Sequence, residues 1–165
     1  MSHFIYRLGD ATAPEGAGPR IVAHIVNDQG AWGAGFVVAL SRRWDEPEAS
    51  YRAWAERDPF DAPPFRLSET QFVAVGDGIT VANMCAQQGF PSRHRPCALD
   101  YYALRNCLRA VRRYALAVGA SVHMPRIGCG IAGGEWSLVE LIVRDILVES
   151  GVLVTVYDLD ARAAA

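Results

Sequence analysis

The apolar residues of this chain form short runs typical of strands, separated by stretches in which they recur at helical spacing. The run 21–26 is almost continuously apolar, as expected of a strand covered on both faces. Leu104, Leu108 and Val111 lie at helical spacing in a segment that stops at Gly119, a residue suited to ending a helix. The full pattern predicts strands over 4–8, 21–26, 71–75, 79–84, 122–125 and 153–159, and helices over 36–44, 48–56, 98–118 and 137–149.

This alternation of strands and helices predicts an α/β protein with a mixed or mostly parallel sheet. The 165 residues contain no internal repeat and no linker, so we expect one domain over residues 1–160 and a frayed alanine-rich tail, 161–165. No apolar run approaches the ~20 residues that cross a bilayer, and the N-terminus lacks a signal-peptide pattern. We therefore expect a cytoplasmic protein.

Charge and cysteine usage exclude several classes of function. The net charge of −2 argues against a broad nucleic-acid surface, which needs excess positive charge. The four cysteines, Cys85, Cys97, Cys107 and Cys129, show neither CxxC pairing nor metal-ligand spacing. We expect packed thiols, no metal, no cofactor, no membrane contact and a monomeric protein.

Every basic residue in the chain is an arginine. Because the chain contains no lysine, mechanisms that use a lysine nucleophile, a Schiff base or a phosphate-binding ammonium are excluded. Richness in arginine and alanine without lysine is also typical of a GC-rich bacterial genome.

Two glycine-rich segments directly follow predicted strands. The first contains Gly30, Gly33 and Gly35, and the second runs from Gly128 to Gly134. In open α/β sheets, ligands bind where loops leave the carboxyl ends of strands, and glycine lets backbone N–H groups approach an anion closely. Neither segment matches a P-loop or a dinucleotide-binding fingerprint. The pattern favours a diphosphate held from both sides.

Several motifs, in order along nearly the whole chain, resemble the macrodomain family. They are GDAT (9–12), HIVNDQGAWGAGF (24–36), VANMCAQ (81–87), MPRIGCGIAGG (124–134) and VTVYDL (154–159). MPRIGCG is especially similar to the branch that contains the terminal ADP-ribose protein glycohydrolase, the ALC1-like branch. The resemblance implies a macrodomain-like three-layer α/β/α fold and ADP-ribose, free or attached to protein, as the ligand.

The resemblance also implies where ADP-ribose contacts the chain. Asp10 and the backbone of Ala11 would bind adenine, although Asp10 could instead cap a turn. Asn27 would face the distal ribose, and the backbones of 33–36 and 128–132 would each hold one phosphate. Tyr157 would either lie against adenine or belong to the core. Apart from the resemblance, Trp32 lies among glycines in a loop expected to be exposed, where it would either cover the distal ribose or make no ligand contact. The predicted ligand-binding set is Asp10, Ala11, Asn27, Gly30, Trp32, Gly33, Ala34, Gly35, Phe36, Gly128, Cys129, Gly130, Ile131, Ala132 and Tyr157.

The chain departs from the glycohydrolase branch at the two positions that carry catalysis there. The catalytic lysine corresponds to Gln87 and the aspartate to Ala132, so the covalent mechanism of that branch cannot operate. Three hypotheses remain open. The first is a hydrolase of ADP-ribosyl esters, with a water oriented by Asn27, by Gln87 or by the ligand's own phosphate. Asp28 or Glu135 would be a nearby carboxylate, although Asp28 could instead tie backbone N–H groups of the loop and Glu135 could favour the start of the following helix. The others are a phosphatase acting on ADP-ribose 1″-phosphate and a non-catalytic ADP-ribose reader.

Overall fold

The computed structural model of the chain describes residues 3–58 and 60–159, and every strand and helix predicted from the sequence is present, with ends shifted by a few residues. The expected tail, 161–165, lies outside the described residues. The strands are β1 (Phe4–Leu8), β2 (Arg20–Asn27), β3 (Thr70–Gly76), β4 (Ile79–Gln87), β5 (Ser121–Met124) and β6 (Val154–Asp158). The helices are α1 (Phe36–Arg43), α2 (Glu46–Ala55), α3 (Tyr101–Val118) and α4 (Trp136–Ile146), with a short 3-10 turn at Val148–Ser150.

The six strands form one sheet in the order β1-β6-β5-β2-β4-β3. The pairs β1–β6, β6–β5, β5–β2 and β2–β4 are parallel, and β3–β4 is an antiparallel hairpin turned by Asp77 and Gly78, both at positive φ. The prediction of a mixed, mostly parallel sheet is confirmed. Because five strands run in one direction, the loops that follow β1, β2, β4 and β5 emerge at the same edge of the sheet.

Helices cover both faces of the sheet, which confirms the three-layer α/β/α architecture. Alternate residues of the central strand β2 enter two cores: Ile21 and Ala23 pack with α3 and α4, and Val22 and Val26 pack with α1 and α2. This two-sided burial explains why the β2 sequence is a continuous apolar run rather than an alternating one.

The two faces are covered unequally. Helices α1 and α2 pack over β2, β3 and β4. On the same face, the loop 9–19 crosses the half formed by β1, β6 and β5. Two hydrogen bonds hold this loop: the Glu15 N–H donates to the Tyr157 hydroxyl, and Arg20 donates to the Pro14 carbonyl. Within the described residues no helix is long and apolar enough to cross a membrane.

The ends of α3 show how local sequence fixes the framework. The Asp100 side chain accepts a hydrogen bond from the Ala103 N–H, which caps the first turn. Gly119 ends the helix in the left-handed conformation, at φ +69°. The chain then enters β5 two residues later, which delivers the second glycine-rich segment to the edge of the sheet.

Candidate functional site

A cleft opens where β2, β4 and β5 end. It consists of two adjoining cavities, of about 180 Å³ and about 250 Å³, which share Ile25, Ala34, Val37, Gln87 and Ile131. We call them the loop cavity and the side cavity. The loop cavity lies between residues 34–37 and residues 125–132, and the side cavity is closed by Asn27, Gly33 and Phe90. The two glycine-rich segments therefore face each other across one cleft.

Side-chain hydrogen bonds shape the first glycine loop, residues 28–35. Asn27 accepts the N–H groups of Gln29 and Ala31 at its Oδ1 and donates from Nδ2 to the Ala31 carbonyl. The Tyr51 hydroxyl, from α2, lies 2.6 Å from the Asn27 carbonyl oxygen and 3.0 Å from Oδ1. Asn27 therefore lines the side cavity, but its amide is already used to fold the loop.

Asp28 connects the first loop to the end of β4. Its Oδ1 accepts the N–H of Gly89 at 2.8 Å and the Nε2 of Gln29 at 3.0 Å. The Gly89 carbonyl in turn accepts Nε2 of Gln87 at 2.9 Å. Asp28 does not line either cavity, so its contact with the cleft runs through Gly89 to Gln87.

Among the residues that line both cavities, Gln87 has the polar side chain. It is buried, its Nε2 is held by Gly89, and its Oε1 has no hydrogen-bond partner among the described residues. An amide fixed in this way presents an acceptor to the cleft.

Close packing, rather than side-chain hydrogen bonding, shapes the second glycine loop, residues 125–134. A Cβ on Gly134 would lie 2.5 Å from Leu99 Cδ2 and 2.6 Å from the Gly128 carbonyl oxygen. A Cβ on Gly133 would collide with the Pro96 carbonyl. By contrast, a Cβ on Gly130 would meet nothing within 4 Å. Glycine is required at 133 and 134 by the fold, whereas at 130 its missing side chain leaves space in the cleft.

Backbone N–H groups from both loops converge on the cleft without acceptors. Residues 33–37, 128 and 130–132 line the cleft, and within the described part of the chain their N–H groups donate no hydrogen bond. Residues 36 and 37 begin α1, whose N-cap Gly35 has φ +83° and no side chain to satisfy them. Unsatisfied donors at a helix start and in a glycine loop are the arrangement that binds phosphate in proteins.

Two cleft residues with ionisable side chains were missed by the sequence interpretation, Arg126 and His24. Arg126 binds Asp158 through Nε at 2.8 Å and Nη2 at 3.0 Å, which raises its pKa. Its position in the second glycine loop, two residues before Gly128, could have indicated this. His24 lies inside β2, where no pattern distinguishes a cleft residue from a core residue.

His24 is neutral in the folded protein. Complete desolvation lowers its pKa to about 4, against a smaller opposing effect of Asn83. Because the Asn83 amide donates to Pro47 and Gln71, its Oδ1 must accept from His24 Nε2. The Nδ1 lone pair is then buried and has no partner among the described residues.

The structure corrects the expected exposure of Trp32. Trp32 is 7% exposed, its Nε1 donates to Ser41 Oγ at 2.8 Å, and its ring packs against His24 and Tyr51. It supports the first loop from below and does not line the cleft. The physical reason is that α2 supplies an aromatic surface which buries the ring.

The predicted adenine-side residues are split between two places. Asp10 accepts the N–H and hydroxyl of Thr12, both at 2.8 Å, and lines a separate cavity with Arg42 and Trp44 near the end of α1. Tyr157 is buried, and its hydroxyl bonds to His123 in a different cavity.

The other predicted binding residues are also placed by the structure. Of these, Gly33, Ala34, Gly35, Phe36, Gly128, Gly130, Ile131 and Ala132 line the cleft. Ala11 is buried, Gly30 packs close to Ala55, and Cys129 bonds through Sγ to the Ile127 carbonyl, so these three do not line it. Glu135 is the N-cap residue of α4, and its N–H donates to Tyr101.

A three-layer α/β/α protein with a donor-rich cleft at the carboxyl edge of a mostly parallel sheet belongs to the class that binds phosphate-bearing ligands. Comparison with solved structures identifies the family. The chain is 46% identical to a macrodomain protein from Streptomyces coelicolor, covering 94% of this chain and 98% of that one, with a TM-score of 0.82. The chain therefore belongs to the macrodomain family. A protein of unknown function from Bacteroides thetaiotaomicron is 45% identical over 96% of this chain and 99% of that one, with a TM-score of 0.90.

Curated relatives share shorter or partial similarity. The chain is 29% identical over 164 residues to the chromodomain-helicase-DNA-binding protein 1-like of Danio rerio. That alignment covers 92% of this chain and 15% of the Danio rerio protein. It is 34% identical over 67 residues to the ADP-ribose glycohydrolase OARD1 of Bos taurus, and this alignment covers 40% of this chain and 42% of the bovine protein. The chain thus spans less than half of either relative. No family model matches it.

Proposed function

We propose that this protein binds ADP-ribose, with the diphosphate in the loop cavity. The observation that carries the proposal is that unpaired N–H groups from residues 33–37, 128 and 130–132 lie along one cleft. Arg126 lines the same cavity, where its guanidinium is paired with Asp158. The name of the bovine relative, an ADP-ribose glycohydrolase, supports the choice of ligand.

The rest of the ligand would occupy two further cavities. The side cavity, with Asn27 and Gln87, would take the distal ribose. The cavity beside Asp10 would take adenine, with the second carboxylate oxygen of Asp10 as acceptor and the Ala11 N–H beside it. Phe36 and Arg42 lie about 9 Å apart along the axis of α1, a distance that a diphosphate and a ribose can span.

Isothermal titration calorimetry with ADP-ribose and AMP tests the binding proposal. We expect ADP-ribose to bind with measurable heat and AMP far more weakly, because AMP lacks the diphosphate bridge between the loops. Amide resonances of residues 33–37 and 128–132 should shift on titration with ADP-ribose. An absence of heat, or shifts confined to other residues, would show that the cleft does not bind this ligand.

We further propose that the protein hydrolyses esters between ADP-ribose C1″ and acidic side chains, without lysine. The observation that favours hydrolysis is the unpaired Oε1 of Gln87, which faces both cavities from a fixed amide. There it would accept a hydrogen bond from a water and orient the water toward C1″. Asp28 would act as a positioning residue, because it holds the Gly89 peptide that holds Gln87.

The chemistry of the leaving group suits this cavity. No carboxylate or imidazole lines the side cavity within the described residues, so no general acid is available there. A glutamate carboxylate leaves as a stable anion, since its conjugate acid has a pKa of about 4.3, and therefore needs none. Water forms the new C1″–O bond, the C1″–carboxylate bond breaks, and the proton of the water passes to solvent. When ADP-ribose is linked to serine, the serine oxygen would have to leave as an alkoxide, so that bond should resist cleavage.

Release of ADP-ribose from glutamate-modified and serine-modified peptides tests the reaction. We expect cleavage of the glutamate ester only, and loss of about tenfold or more in kcat for Gln87→Leu with ADP-ribose affinity retained. Gln88→Leu, one residue along, is the matched control. Tight binding without turnover of either peptide would identify a reader module instead, and faster release of phosphate from ADP-ribose 1″-phosphate would identify a phosphatase.

A further inference from the structure

Another large cavity lies on the half of the sheet face, over β1, β6 and β5, that α1 and α2 leave uncovered. It has a volume of about 590 Å³ and lies between the loop 9–19 and the strands β1, β5 and β6. We call it the sheet groove. Its floor is formed by side chains that point away from α3 and α4, among them Ser121, His123, Thr155 and Tyr157, and its walls include Ile5 and Leu116. None of its lining residues lines the cleft.

Three side chains in the sheet groove form a hydrogen-bonded chain. The Tyr157 hydroxyl lies 2.8 Å from His123 Nδ1, and His123 Nε2 lies 2.8 Å from Ser121 Oγ. The Tyr157 oxygen also accepts the Glu15 N–H at 3.0 Å. His123 and Tyr157 are buried, whereas Ser121 is partly exposed to the groove.

The direction of donation along this chain follows from counting protons. A tyrosine hydroxyl has one hydrogen, and among the described residues the only acceptor within reach of Tyr157 is His123 Nδ1. His123 is neutral, because desolvation and then the charge of Arg20 lower its pKa to about 4. Its single ring proton therefore resides on Nε2 and is donated to Ser121 Oγ.

This direction determines what Ser121 presents to the groove. Because its oxygen accepts from His123, the serine is not activated as a nucleophile, which would require donation toward Nε2. Its own O–H proton has no acceptor among the described residues. Hydrogen bonds therefore run from the Glu15 N–H through Tyr157 and His123. They end at the Ser121 hydroxyl, which is polarised by them and faces the sheet groove.

Charge at the groove wall indicates which kind of acceptor fits. Arg7 lines the groove and contacts Glu15 through one nitrogen, Nη1, at 2.8 Å. Both side chains are about half exposed, so this pair contributes little and exchanges easily. The remaining guanidinium donors of Arg7 and the Ser121 hydroxyl are suited to a carboxylate, and Ile5, Leu116 and Leu153 offer apolar contact.

We propose that the sheet groove is a second binding site, which takes a small carboxylate-bearing molecule with an apolar body. The Ser121 hydroxyl and the Arg7 guanidinium bind the carboxylate, and the apolar wall covers the body. The site is separate from the cleft, so its occupancy does not depend on whether the cleft binds ADP-ribose.

The tautomer of His123 is the first test. Long-range ¹⁵N–¹H correlation of the histidine ring should show the proton on Nε2 at neutral pH, and Tyr157→Phe should allow the other tautomer to appear. A proton on Nδ1 in the unsubstituted protein would reverse the direction of donation and overturn the proposal.

Titration with sodium benzoate, followed by ¹⁵N–¹H spectra, tests binding. We expect saturable shifts of the Gly119 and Gly151 amides, which line the groove. Ser121→Ala should weaken benzoate binding about tenfold through loss of a charge-assisted hydrogen bond. Ser137→Ala, an exposed serine of α4, is the matched control and should bind benzoate normally.

Two comparisons sharpen the result. Benzamide, which is isosteric but uncharged, should bind several-fold more weakly than benzoate, and equal binding would overturn the carboxylate assignment. ADP-ribose affinity should be unchanged in Ser121→Ala. A chain ending at Leu159 should bind benzoate as the full chain does, and stronger binding would show that residues 160–165 occupy the groove, which would also overturn the proposal.

Discussion

The two glycine loops face each other across one cleft but are built in different ways. The first, 28–35, is folded by side-chain hydrogen bonds from Asn27 and Tyr51. The second, 125–134, is folded by close packing of Gly133 and Gly134 against backbone and Leu99. Both present unpaired N–H groups to the same space. The difference shows that a donor-rich surface depends on fixed backbone geometry and not on any one way of fixing it.

Different substitutions should therefore disrupt the two loops, and their effects on the free energy of unfolding should differ in size. Gly134→Ala should have the largest effect, about 3 kcal/mol, because the new Cβ overlaps the Gly128 carbonyl and Leu99. Chemical denaturation measures it. Gly130→Ala, whose Cβ meets nothing within 4 Å, should stay within about 0.5 kcal/mol of the parent. Equal stability of the two variants would contradict the packing account.

Acid should weaken the strands that carry both loops. His24 in β2 and His123 in β5 have pKa values of about 4 when folded, against about 6.5 when unfolded. Between pH 4 and pH 6.5 the unfolded chain therefore binds more protons than the folded chain. The contribution of the neutral histidines to the free energy of unfolding is fully present above about pH 6.5 and is lost as the pH falls toward 4. We expect a loss of about 2 kcal/mol for each histidine between pH 7 and 5.

Urea denaturation at pH 7, 6 and 5 checks this dependence. His24→Gln and His123→Gln should each flatten the pH profile, even where they lower stability at pH 7. His94→Gln, at an exposed position, should leave the slope unchanged. A slope that persists in the double variant would assign the acid sensitivity to other groups.

Tyr51→Phe should loosen the first loop alone. The substitution removes a buried donor to the Asn27 carbonyl and Oδ1, at a cost of about 1–2 kcal/mol. Amide exchange should accelerate in residues 28–35 and not in 125–134, which distinguishes local loosening from global loss. Tyr102→Phe, at a tyrosine that is 72% exposed, is the control. Uniform acceleration in both loops would indicate that they are not independently supported.

Gly130→Val should have the smallest effect on stability and a large effect on ligand binding. The side chain would enter open space, so unfolding should change by no more than about 0.5 kcal/mol. ADP-ribose affinity should fall at least about tenfold, because the valine occupies the approach to the second loop's N–H groups. Unchanged affinity would place the diphosphate elsewhere.

The sequence predicted the parts of the molecule that local patterns control. The continuous apolar run of β2, the hairpin turn at Gly76 to Gly78 and the glycine stop of α3 each follow from a few adjacent residues, and all three are present. The two loops were placed opposite each other because both follow parallel strands. Their approach across a common cleft is confirmed by the cavity between them.

Features that depend on distant residues could not be predicted. Trp32 is buried because Tyr51, on a different element, packs against it. The position of Tyr157 depends on β6 lying between β1 and β5, which brings it to His123 and to the Glu15 N–H, 142 positions away. The role of Asn27 was also hidden, since a side chain that folds a loop and one that contacts a ligand have the same residue types, whereas an aspartate before a glycine loop was expected to tie backbone N–H groups, as Asp28 does with Gly89.

The open space beside Gly33 and Gly130 has a practical consequence for mutagenesis. A surface whose contacts come from main-chain groups keeps them when side chains are truncated, so a conventional alanine scan would find few sensitive positions and suggest that the cleft is unimportant. Recognition of this kind is found by substitutions that add bulk. Variation among family members that tunes affinity should accordingly appear as changes in residue size at these positions rather than as gain or loss of polar groups.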